Sequence, residues 1–149
     1  NKGNVYEEKR AQIILNPVST SKSKAGQKIF NNYLRQTKKE VYDQYRDYMI
    51  GESQNRLLGD IQLVKINDNT LIMNGFIYKG NKIDLTALVK VLVELYNLAH
   101  EYELDIAIPL KMNCRNDIII NYIKMIIDVV FTDFEYNLYL YSKSVNYKK

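Results

Sequence analysis

Cysteine and histidine are nearly absent from this chain of 149 residues: Cys114 and His100 are the only ones. One thiol cannot build a disulfide framework, and a lone imidazole without partners makes no zinc or other metal site. A reducing setting is the simplest reading, so a cytoplasmic protein without metal or other cofactor is expected. Tryptophan is missing altogether, while tyrosine occurs 13 times, at helical or strand spacing that points to half-buried packing. No apolar run approaches the roughly 18–20 residues of a membrane span. No leader pattern opens the chain, and repeats and low-complexity tracts are absent.

What is present describes a folded domain. Hydrophobic residues make up 46% and charged residues 26%, proportions that argue against disorder. The length suits one domain over residues 1–149, with 142–149 as a polar, basic tail. A net charge of +4 permits an acidic ligand. The lysines are spread along the chain and no helix is strongly basic, so nucleic-acid binding is not favoured.

The chain is organised around residues 104–117 (LDIAIPLKMNCRND). An apolar strand over 104–108 ends at Pro109, and a helix-length apolar segment resumes at Ile118. In an open α/β sheet, the loop at the carboxyl end of such a strand is where ligands bind. Upstream, residues 2–6 read as the tail of a first strand. Residues 11–15 (AQIIL) read as a short buried strand stopped by Asn16-Pro17. Residues 19–26 (STSKSKAG) read either as a solvated loop or as one that meets an anion through hydroxyls and backbone amides.

Two helical faces follow over residues 29–49, and then a hairpin: strand 61–66, a turn at Asp68-Asn69, and strand 71–78. Gly75 inside the second strand suggests a bulge or a close backbone approach. Asp84 fits the N-cap of a helix with Leu85, Leu88, Val89, Leu92, Leu95, Tyr96, Ala99 and Tyr102 on its apolar face. Asn116 or Asp117 caps a later helix, running to about Val130. Its apolar residues nearly encircle it and so predict cover on more than one side. Residues 136–141 (YNLYLY) close the set as a last strand. Strands interleaved with helices, plus one hairpin, predict an α/β fold of three α/β/α layers, a mixed central sheet with helices on both faces.

Several strings, in this order, resemble the macro domain superfamily, in particular short phage and bacterial members related to ADP-ribose 1''-phosphate phosphatases. They are Lys2-Gly3-Asn4-Val5, the run 39–45 (KEVYDQY), the run 57–64 (LLGDIQLV), Asp84-Leu85-Thr86-Ala87-Leu88, and Ala107-Ile108-Pro109 with Cys114. The resemblance implies the macro-like fold and a ligand such as ADP-ribose or a related nucleotide. It places Asn4 where the family has an aspartate that recognises adenine. The segment from Asn16 to Gly26, with Ser19, Ala25 and Gly26, stands for the loop around the distal ribose. Asn113, Cys114, Arg115 and Asn116 stand for the phosphate loop, whose family form is Gly-Cys-Gly.

Losing both of those glycines puts side chains where a backbone should approach a pyrophosphate. Arg115 can pair with phosphate directly or fill the pocket, and filling is the favoured expectation. By the same resemblance Asp84 and Asp117 match catalytic aspartates of hydrolytic members, where either would serve as a general base. Both also stand at helix starts, where an aspartate needs no catalytic task. Two functions are therefore expected in competition. One is a divergent macro domain binding an ADP-ribose-like nucleotide, with weak hydrolase or phosphatase activity. The other is an inactive macro fold, phage-encoded and acting in the host cytoplasm on a host or defence protein. Neither implies an oligomeric state.

Overall fold

The computed structural model describes residues 12–20, 57–112 and 114–141. The expected strand at 2–6 and the helical faces at 29–49 lie outside them. The described strands are β1 (Ile13–Ser19), β2 (Ile61–Asn67), β3 (Thr70–Lys79), β4 (Lys82–Ile83), β5 (Ile106–Pro109) and β6 (Leu138–Tyr141). Helix α1 (Leu85–Tyr102) lies between β4 and β5, and helix α2 (Asp117–Val130) between β5 and β6. The strands form one mixed sheet in the order β2-β3-β1-β5-β6, with β4 paired on β3. The β1–β3, β1–β5 and β5–β6 pairs are parallel, while β2–β3 and β3–β4 are antiparallel.

Alternation along the strands sends side chains to two buried faces. Ile13, Leu15, Met73, Ile77, Ile106 and Ile108 form one core with α1 and α2. Ile14, Val18, Ile72, Phe76 and Ala107, at alternate positions, are buried as completely but stand outside that core. A sheet buried on both faces is the middle layer of three.

Asn16 and Pro17 do not stop the first strand, contrary to the sequence expectation; β1 runs through them to Ser19. The reason lies in which neighbour each residue faces. The Gln12 carbonyl and the Thr20 amide both bond β3, so even-numbered residues of β1 serve that ladder. Pro17 is on the other side, toward β5. There the registered pairs are only Ile13–Ile106 and Ile14–Ala107, led by the Ile13 amide donating to the Asp105 carbonyl at 3.1 Å. The next donors in line would be the amides of Pro109 and Pro17, and neither exists. The prolines do not end their strands. They end the ladder between them.

Helix α1 buries Ala87, Leu88, Val91, Leu92, Leu95 and Ala99. The stripe is rotated from the expected one: Val91 replaces Val89 and Tyr102, which are exposed. Gly75 explains the rotation. An added Cβ there would meet Val91 Cγ1 at 2.5 Å, so α1 sits directly on β3 through that valine. Helix α2 is also covered differently from expectation. Only Ile120, Ile123 and Ile127 are buried, whereas Ile118, Tyr122, Met125 and Val129 are exposed, at 68%, 51%, 60% and 74%. Apolar residues all round a helix do not themselves provide a neighbour on every side. No helix among the described residues is long and apolar enough to cross a membrane.

Candidate functional site

The crossover geometry decides where a site can form. From β3 the chain passes over β1, through α1, and enters β5 on the far side. Strand β1 is thus the point at which strand order reverses, and the crevice beyond its carboxyl end is the usual ligand position in such sheets. Ser19, the Lys79–Lys82 turn, the start of α1 and the loop from Leu110 to Asn116 all stand at this edge. Ser19 is registered opposite Tyr78, and Tyr78 opposite Ile83, the residue before Asp84.

The expected site residues fare unequally. Asn4, Ala25, Gly26 and Asn113 lie outside the described residues. Ser19 is the last residue of β1 rather than part of a solvated loop, and it is buried. Asp84 is the N-cap of α1: its Oδ1 accepts from the Ala87 amide at 2.8 Å. Asn116, not Asp117, caps α2, its Oδ1 accepting from the amides of Ile118 and Ile119 at 2.9 and 3.1 Å. Asp117 is the first helical residue and is exposed. Two of the amides that α2 would offer an anion are therefore occupied by its own cap. Cys114 is half-buried, with Sγ 4.0 Å from the Asn116 carbonyl oxygen. Arg115 is exposed and does not fill a pocket.

Asp84 can be tested on its capping role alone. Asp84→Ala is expected to lower unfolding free energy by about 1 kcal/mol, and Asp84→Asn by far less, since asparagine caps as well. Equal losses for the two variants in chemical denaturation would remove the cap as the reason for the loss.

Two features escape the sequence, one in the body of the sheet and one at this edge. The first is a row of amides across three strands. Asn16 Nδ2 donates to Asn74 Oδ1 at 2.8 Å, and Asn74 Nδ2 donates to Gln62 Oε1 at 2.9 Å. Their registers, Asn16–Asn74 and Gln62–Asn74, place the row at right angles to the strands. The second is Tyr78, whose buried hydroxyl donates to the Met112 carbonyl at 2.5 Å. Burial, and secondarily the Cys114 sulfur, push its ionisation well above the ordinary tyrosine value, so it remains a donor.

His100 is far from this edge. It stacks on Tyr96, with centroids 5.8 Å apart, and its Nε2 is 3.5 Å from Glu135. Tyr96 in turn donates to Asp133 at 2.9 Å, which ties the end of α1 to the segment after α2.

No protein-family model matches the sequence, and no curated protein matches it. Solved structures do. The macrodomain of Thermus aquaticus DarG matches with a TM-score of 0.74 and 17% identity, over 95% of this chain and 95% of that one. The macrodomain of Mycobacterium tuberculosis DarG matches at 0.74 and 14%, over 97% and 96%. Thermosipho africanus DarTG in complex with ADP-ribose matches at 0.63 and 13%, over 89% of this chain and 38% of that one. Over nearly its whole length the chain has the macrodomain fold.

Proposed function

We propose that this macrodomain-fold chain binds an ADP-ribose-like nucleotide in the crevice at the carboxyl ends of β1 and β5. The observation that carries the reading is the exposed Arg115 in the loop that follows β5, on the strand edge where the β1–β5 ladder has ended. A guanidinium there meets a diphosphate by paired N–H donors, a role that suits a loop lacking glycines. The Thermosipho africanus neighbour, part of which shares this fold, is in complex with ADP-ribose, which supports the same ligand class. Hydrolysis is the finer proposal. Asp84 spends one carboxylate oxygen on its helix, which leaves the exposed Asp117 as the better placed general base of the two.

Thermal shift with ADP-ribose, ADP-ribose 1''-phosphate, NAD and ATP tests the binding. A ligand that binds only the folded state at about 100 times its Kd adds about 2.7 kcal/mol, a plain rise in melting temperature. Arg115→Ala is expected to weaken ADP-ribose by roughly tenfold or more, the value of a charge-assisted hydrogen bond. If none of the four ligands shifts the melt, the crevice is not a nucleotide site. The second reading, a protein-interaction module, then takes precedence. It is favoured by the exposed stripe of Ile118, Tyr122, Met125 and Val129, which suits a protein surface better than a solvated helix.

A further inference from the structure

Tyr78 belongs to no role assigned so far, yet it spans the crevice. The β1–β3 register pairs Val18 with Phe76 and then Ser19 with Tyr78, which leaves Ile77 as one extra residue on β3. Such a bulge re-aims the side chains that follow it. The displaced Ile77 carbonyl accepts from the Asp84 amide at 2.7 Å, anchoring the bulge to the start of α1. Tyr78 is thereby directed over the end of β1, and its hydroxyl reaches the loop that follows β5.

Three backbone bonds among the described residues hold that loop from its own side. Leu110 donates to Tyr141, Met112 to Pro109 and Cys114 to Lys111, at 2.7, 2.9 and 2.8 Å. None of these three bonds reaches β1 or β3, and the two prolines end the β1–β5 ladder before the loop begins. Met112 moreover holds a left-handed backbone, φ 51°, while its side chain is wholly buried. A methionine in that conformation needs surroundings that fix it. The Tyr78 hydroxyl, on the Met112 carbonyl, is such a contact, beside the packing of the methionine side chain in the core.

We infer that Tyr78 is a positioning residue for the nucleotide site. It fastens the Leu110–Asn116 loop across the crevice, so that Arg115 and the start of α2 are set before ligand arrives. The inference rests on the nucleotide reading above, and it acts through pre-organisation, which removes an ordering cost from binding. Tyr78 itself need not touch the ligand.

Tyr78→Phe removes the oxygen and keeps the ring. Amide hydrogen exchange of the ligand-free protein and calorimetric titration with ADP-ribose are the two readouts. Exchange is expected to rise by roughly tenfold or more at Met112 and Cys114. Exchange at Ile72, Asn74 and Phe76 stays as in wild type, which controls for folding. Affinity for ADP-ribose is expected to fall by roughly tenfold, with the stoichiometry unchanged. Unchanged loop exchange overturns the fastening. Faster exchange with unchanged affinity overturns the role in binding. A wild-type protein that does not bind ADP-ribose overturns the nucleotide reading and Tyr78's part in it, while the exchange data alone still decide whether the hydroxyl fastens the loop.

Discussion

Gly75→Ala is expected to destabilise the protein by about 2–3 kcal/mol, one of the two largest effects foreseen here for a single substitution. The new methyl group would stand 2.5 Å from Val91 Cγ1 and 3.3 Å from Cγ2, with Leu15 Cδ1 at 3.4 Å on the other side. All three atoms belong to the main core, where neither residue has room to move. The helix must lift, and lifting α1 loosens Leu88, Leu92 and Leu95 as well. In a chain of this length the melting temperature should fall by roughly 5–10 °C. Val91→Ala alone leaves a cavity and also destabilises, but the double variant should lose less than the sum, because each change relieves the other. Thermal melts of the four proteins form the cycle. A Gly75→Ala protein that melts with wild type would refute the close approach of α1 to β3.

Asn74→Leu is expected to cost a similar amount, about 2–3 kcal/mol, through polarity rather than volume. Asn74 is the middle of the amide row: it accepts from Asn16 and donates to Gln62. Leucine takes an acceptor from a buried amide and a donor from a half-buried one in a single step, and it brings neither group water. Gln62→Leu, at the more open end of the row, should cost only about 1 kcal/mol. The ordering is the sharper part of the prediction. If urea denaturation finds the two variants equal, the row does not act from its buried end outward.

The elements that the sequence makes legible are those whose pattern is decided locally. The ends of α2, the cap at Asp84 and the β2–β3 hairpin follow from capping chemistry, period and turn residues, and they stand where the pattern puts them. Gly75 announced a close approach, and Val91 is what approaches. The elements that depart from the pattern share another cause. Whether Pro17 breaks a strand depends on which neighbour its missing amide would have faced, and that neighbour is a strand about 90 residues away. Whether the apolar flanks of α2 are covered depends on what packs there, which periodicity cannot show. Tyr78 escapes the sequence for the same reason. A tyrosine at the end of a strand is ordinary until a bulge one residue earlier turns it toward a loop 34 residues downstream. Of the site itself, the sequence indicates the edge and the helix starts. The amide row and the hydroxyl bond depend on register.

The two prolines also bear on how the sheet responds to load. Seven registered pairs join β1 to β3, but only two join β1 to β5. Mechanically the sheet is two ribbons, β2-β3-β1 and β5-β6, tacked together at one end of a common edge. Pulling the ribbons apart peels that short seam from its open end, with few backbone bonds to break in succession, whereas separating β1 from β3 must shear a full-length ladder. Resistance to peeling falls to the helices on the sheet and to the phenol that reaches across the gap. Among the described strands, the β1–β5 seam is consequently the compliant line.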